Sequence, residues 1–222
     1  MGIVGSSLKG GGVVNIINAH TSQWICQARA EGRGGIADFD WWQDGTGLVV
    51  LGKGGEAIEY SVPERRVVAR WIDDGSIGAT VVAVGGVVPG HSNKTPNLLG
   101  GSRWIAVGSQ SGIVNLYDRS SWATSKSVSV PERPVPKRVL DQLTTSTSNL
   151  VFSPDGQLMV MSSRWKKDAL RLVHLPSCTV YRNWPTSGTP LGRVTSVAFS
   201  SNSALMAIAN EAGKIRLWEI RG

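Results

Sequence analysis

Five times along the chain a glycine or aspartate opens a short run with alternating apolar positions: Gly12 to Ile17, Gly55 to Tyr60, Gly112 to Tyr117, Asp168 to Val173 and Gly213 to Trp218. The runs end at residues 17, 60, 117, 173 and 218, so successive units lie 43, 57, 56 and 45 residues apart. A repeat of this kind constrains the fold more than any compositional figure. A small β unit cannot bury its apolar face alone and must stack on its neighbours, which makes the whole chain one array.

Each run is preceded by a second apolar stretch rich in small residues: Ile3 to Ser7, Leu48 to Lys53, Trp104 to Ser109, Leu158 to Ser162 and Leu205 to Asn210. Turn residues join the two, as in Gly108 to Gly112, and the simplest reading is a hairpin. Four hairpins have a further strand upstream, at Ile36 to Trp41, Ile77 to Val84, Ser148 to Phe152 and Val194 to Phe199. The link from Phe152 to Gly156 is a strong turn, because Pro154 presets φ and Gly156 accepts positive φ. Outer strands are best seen at Arg66 to Ile72 and Cys178 to Trp184. Four antiparallel strands per unit make a propeller blade. Two of the four spacings match the ~40–45 residue period of WD40 blades, and the other two require insertions. Gly85 to Ser102 and Ser120 to Lys137 read as those insertions, both surface loops rich in turn residues. A glycine count of 27 in 222 residues suits so many turns, and nine tryptophans supply the apolar bulk of a packed fold.

The expected fold is therefore all-β, a WD40-type β-propeller with five visible blades, in one domain spanning residues 1–222. The blades fall at 1–29 (partial), 35–72, 77–141, 147–184 and 193–220. The first lacks its inner strand and the last ends at its third, which reads as part of a larger ring.

Several stretches are more specific than a generic repeat. Ser111 to Asp118, Lys167 to Val180, Asn183 to Ser187 and Thr189 to Phe199 together resemble the U3 small nucleolar RNA-associated protein 18 family, as do Ala19 to Ser22 and Asp73 to Ser76. The similarity runs in order along essentially the whole chain. It implies a seven-bladed ring and a nucleolar, non-enzymatic scaffold of the small-subunit processome, the particle that processes pre-18S RNA. The partners it implies are other propeller and helical-repeat proteins of the UTP-B subcomplex, with the U3 particle and pre-ribosomal RNA contacted directly or through proteins. The family's N-terminal arm, which in some members recruits the exosome's helicase, is not expected in these residues. One departure stands out: no unit carries a Trp-Asp dipeptide, and of the three histidines only His91 follows a glycine, Gly90 in the long insertion, while His20 and His174 do not. The usual hydrogen-bonded tetrad is missing, so blade stability should rest mainly on apolar packing.

Motifs for chemistry are weak. Gly47 to Lys53 has phosphate-loop spacing, but its interior reads as a strand and Gly54 stands where Ser or Thr would hold magnesium. The three histidines have no nucleophile motif nearby, and Asp73-Asp74 precede Gly75 as a turn would. Asp38 and Asp40 on an inner strand are the nearest approach to a hydrolase site, and Val194 to Phe199 supplies no acid to match them. Cys26 and Cys178 form no metal-binding pattern and read as buried thiols in a reducing compartment. No apolar run reaches the ~18 residues of a spanning helix, so a membrane partner is not expected. The start, Met1 to Ser6, fits a loose myristoylation pattern but reads as the beginning of a strand. No enzyme activity, cofactor, metal or small-molecule substrate is expected.

The basic residues carry the candidate contacts, on a chain of net charge +7. Arg164, Trp165, Lys166 and Lys167 share one hairpin turn, where an exposed ring and three cations suit RNA or an acidic protein. Arg65-Arg66 and Lys137-Arg138 offer two further pairs. The alternative is an unrelated WD40 interaction module, such as a ubiquitin-ligase substrate receptor binding a peptide at the central channel.

Overall fold

A computed structural model describes residues 1–6, 11–30, 34–75, 77–87, 100–123 and 128–220. The described residues form five antiparallel sheets, each a meander in which consecutive strands pair. The first holds β1 (Gly2–Ser6), β2 (Gly12–Ile17) and β3 (Trp24–Arg29). The second holds β4 (Ile36–Trp41), β5 (Gly47–Gly52), β6 (Glu56–Ser61) and β7 (Arg66–Ile72), and the third β8 (Ala79–Val87), β9 (Ser102–Ser109), β10 (Val114–Asp118) and β11 (Arg138–Leu140). The fourth holds β12 (Asn149–Phe152), β13 (Leu158–Ser162), β14 (Leu170–His174) and β15 (Thr179–Val180). The fifth holds β16 (Val194–Phe199), β17 (Leu205–Asn210) and β18 (Ile215–Glu219). This is the architecture of a WD40 β-propeller.

Alternation along the middle strands explains how the sheets stack. Successive side chains of a strand point to opposite faces. Leu48 and Val50 of β5 therefore pack with Val14, Ile16 and Ala28 of the first sheet, while Val49 and Leu51 pack with Val82, Ile105 and Val107 of the third. Trp104 and Ala106 of β9 likewise face Met159, Met161 and Val173 of the fourth sheet, and Val160 of β13 faces Met206 and Ile208 of the fifth. Each core cluster is thus the interface between two consecutive sheets, so a strand such as β5 is buried at all six positions. The segment with phosphate-loop spacing is that buried strand, with no face left for a nucleotide.

The inner strands lie side by side and run in one direction. Asp38 Oδ2 accepts from Val82 N at 3.1 Å and Asp40 Oδ2 from Val84 N at 2.7 Å, in parallel order. Three inner strands begin with a register shift, at Ile36/Asp38, Ala79/Val81 and Val194/Ser196. Such bulges sharpen local twist where strands crowd around an axis.

The structure departs from the sequence expectations in three segments. The outer strand expected at Cys178 to Trp184 pairs only at Thr179–Val180, because Cys178 occupies a tight turn at φ 52° and Pro185 offers no amide to a ladder. The inner strand expected from Ile77 starts at Ala79 and continues to Val87. The insertion Ser120 to Lys137 is anchored to the core at its start, where a 3-10 turn at Arg119–Trp122, capped by the Asp118 side chain, buries Trp122 against Trp71 and Tyr117, while residues 131–133, 135 and 137 stay on the surface. Residues 88–99 of the other insertion, with His91, lie outside the described residues, as do residues 124–127, Ser7 and Ser76.

Apolar packing is also not the only tie between sheets. Asp73, buried between the second and third sheets, accepts from Asn115 Nδ2 at 2.8 Å and from the Tyr117 hydroxyl. Arg119, just past β10, bonds Glu59 of β6 through Nη2 to Oε2 at 2.5 Å, and donates from Nη1 to Ser102 O at 2.8 Å. These buried bridges stand between the second and third sheets, where the tetrad is lacking.

Candidate nucleic-acid interface

The basic turn joins β13 to β14. Arg164 N donates to Ser148 Oγ at 2.9 Å, and Lys166 Nζ reaches Thr144 Oγ1 at 3.1 Å. Asp168 closes the turn at φ 57°, its Oδ1 accepting from Leu191 N and Gly192 N at 2.8 Å each. The backbone is therefore well held while all four side chains of Arg164 to Lys167 stay in solvent. Trp165 is 64% exposed, and its ring contact is with Arg164, whose Cζ lies 5.7 Å from the ring centre. An exposed indole beside three cations can stack on a base or an aromatic side chain.

The three basic sets do not converge. Arg65 and Arg66 sit in the turn between β6 and β7, which lies at the opposite end of the sheets from the β13–β14 turn, because strand direction alternates within each meander. Arg65 takes φ 53°, and Arg66 is already paired with Glu64 at 2.5 Å. Lys137 and Arg138 lie at the start of β11, on the outer rim of the third sheet.

Arg138 has company that sequence reasoning missed. A groove of about 520 Å³ lies between β11 and the region of β15, with Arg138, Arg171 and Arg182 on its walls together with Tyr181, Trp184 and Cys178. Arg171 belongs to β14, and its charge was hidden by the alternation that makes β14 a strand. The usable signal was a charged residue between Leu170 and Leu172, which must point away from the core its neighbours fill.

The groups with catalytic potential are engaged elsewhere. Burial raises the pKa of Asp38 and pushes that of Asp40 up to about 6, although each carboxylate accepts a backbone amide of β8. They bridge inner strands. Burial also pushes the Cys178 thiol up, and its Sγ donates to Leu175 O at 3.3 Å, so this is not an activated nucleophile. Asp74 pairs with Arg133 at 2.8 Å in solvent, and His174 Nδ1 bonds Ser177 Oγ at 2.7 Å. Among the described residues no cluster of three or more His, Cys, Asp or Glu is placed to hold a metal ion, and no helix is long and apolar enough to cross a membrane.

Comparison with known proteins bears on all of these surfaces. Residues 185–219 match the model of the WD domain, G-beta repeat. Over 94% of its length the chain is 47% identical to U3 small nucleolar RNA-associated protein 18 of Saccharomyces cerevisiae, covering 35% of that protein. It is 38% identical to the probable U3 small nucleolar RNA-associated protein 18 of Schizosaccharomyces pombe, over 94% of the chain and 36% of that relative. The homologue of that name in Homo sapiens is 26% identical, over 94% of the chain and 34% of its own length. The chain spans about a third of the length of these relatives.

Proposed function

This chain is a homologue of the U3 small nucleolar RNA-associated protein 18 proteins over the third of their length that it covers, and from that premise we propose that it is a non-catalytic scaffold of the small-subunit processome. The observation that carries the reading is the 47% identity over 94% of the chain to a protein whose name records association with U3 RNA. The fold supplies a means. Stacked sheets with buried ties between them present loops and edges as rigid surfaces, so partners are held by shape and charge without any bond being made. On this reading it works in the nucleolus with U3 particles, pre-ribosomal RNA and the propeller and helical-repeat proteins of UTP-B, in support of pre-18S processing. The Arg164 to Lys167 turn, tied at its backbone through Arg164 N and with its side chains exposed, is the contact for an acidic partner protein.

Gradient sedimentation of a tagged chain tests this. Expected is a fraction in the large pre-ribosomal peak, coincident with U3 RNA and nucleolar in imaging. A well-folded chain confined to the light fractions would overturn it.

A further inference from the structure

We propose that the groove between β11 and β15 binds single-stranded RNA, with Arg138, Arg171 and Arg182 taking phosphates and Tyr181 stacking on a base. The inference deepens the scaffold reading and rests on it for the choice of RNA among polyanions.

Four observations converge on the groove. Its volume of about 520 Å³ lies within the roughly 300–1,000 Å³ span of binding clefts. Three arginines line it and no carboxylate does, with Arg171 also donating from Nη1 to Leu170 O at 2.7 Å. None of the three makes an ion pair among the described residues, so their charge is available to a ligand. The nearby carboxylates are otherwise occupied: Asp118 is held by Arg103 Nε at 3.1 Å and Nη2 at 2.7 Å, and Asp141 accepts from Gln142 Nε2 at 2.5 Å. Clustered arginines without acids are what a phosphate backbone needs, since guanidinium groups match phosphate oxygens in pairs.

The aromatic wall selects the kind of nucleic acid. Tyr181 is 39% exposed and is held from one side by the His174 ring, edge-on at 6.3 Å. Trp184 is held by Trp218, with centroids 5.3 Å apart. Both residues also line a second hollow of about 260 Å³ toward the fifth sheet, so the groove continues past them. Stacking platforms beside cations are the pattern for single strands, whose bases are free to splay, and not for a duplex with its bases hidden.

An acidic peptide is the competing occupant, and the edge strand argues against it. A peptide bound by strand addition needs a row of open amides, whereas β15 is only Thr179–Val180 and is followed by bends leading to Pro185.

The test uses the purified 222-residue chain and fluorescence anisotropy with a labelled oligouridylate, titrated over about 50–200 mM salt. Arg138 and Arg182 are exposed and unpaired, so Arg138→Ala with Arg182→Ala leaves the fold intact. The double variant should bind at least tenfold more weakly at the low-salt end. Its salt slope should fall by about 1.4, since each single-strand phosphate contact contributes about 0.7. Tyr181→Leu should lose affinity about tenfold with the slope unchanged. Arg29→Ala, an exposed residue at the end of β3 in the first sheet, should bind as the parent does. Absence of binding by the parent chain, or groove variants that bind as tightly as it does, would overturn the proposal. Tighter binding of a polyglutamate peptide than of RNA, with the same arginine dependence, would overturn it in favour of a protein ligand. Failure of the groove variants to matter, with co-sedimentation retained, refutes this site alone; RNA binding retained without co-sedimentation refutes the scaffold reading alone.

Discussion

Removing either partner of the Glu59–Arg119 pair should come close to unfolding the protein. The two charges are 2% and 1% exposed and meet at 2.5 Å, joining β6 in the second sheet to the residue after β10 in the third. Glu59→Leu leaves a guanidinium in the core with only part of its charge answered, and Arg119→Met leaves a bare carboxylate. Each should cost about 3–5 kcal/mol, the usual penalty for stranding a buried charge. Against a total stability of about 5–15 kcal/mol, that is from about a fifth to the whole. The double variant removes both charges and keeps apolar volume, so it should lie within about 2 kcal/mol of the parent, the remainder including the Ser102 carbonyl and the Trp42 ring that Arg119 leaves behind. Urea denaturation at matched slope measures all four proteins. Single substitutions costing under about 1 kcal/mol, or a double variant as costly as the sum of the singles, would refute the claim that this pair locks the two sheets.

Three other outcomes follow from the same geometry. The Asp40 carboxyl titrates near 6 in the folded chain against 3.8 for the free group, so the folded state holds its proton longer and stability falls as pH rises from about 4 to 6. At about 1.4 kcal/mol per pH unit the loss is at most about 3 kcal/mol. Asp40→Asn keeps an acceptor for Val84 N, and thermal unfolding should show it flatter over that window and more stable than the parent above pH 6. Gly112 and Gly213 occupy matching hairpin turns at φ 86° and 71°, but a Cβ at Gly112 would lie 2.6 Å from the Leu143 carbonyl oxygen while none of its surroundings come within 4 Å at Gly213. Chemical denaturation should therefore show about 1 kcal/mol for Gly213→Ala and clearly more for Gly112→Ala. Charge reversal at Arg164, Lys166 and Lys167 should leave stability within about 0.5 kcal/mol, because these side chains stand in solvent, while lowering recovery of acidic partner proteins in pull-downs.

What could be read from the sequence was what is local. Ile36–Trp41, Arg66–Ile72 and Val194–Phe199 are strands with the expected bounds, because alternation and flanking turn residues act within a few positions. Gly112 could be placed in a hairpin turn for the same reason. The Glu59–Arg119 pair could not, being separated by 60 residues and meeting only once two sheets stack. Trp122 looked like a loop residue because nothing near it in sequence shows that Trp71 and Tyr117 will surround it. The same limit hid the groove. Arg138, Arg171 and Arg182 come from two sheets, and their shared wall depends on the offset between β11 and β15, which no single strand's pattern encodes.

The proposed scaffold docks through protein surfaces into a U3-containing particle. Its most direct test is affinity purification of the tagged chain from nucleolar extract, with and without RNase, scoring UTP-B proteins and U3 RNA. Both should be recovered from untreated extract, and the UTP-B proteins should be retained after RNase. Recovery of neither by a well-folded chain, or loss of the proteins together with the RNA, would contradict it.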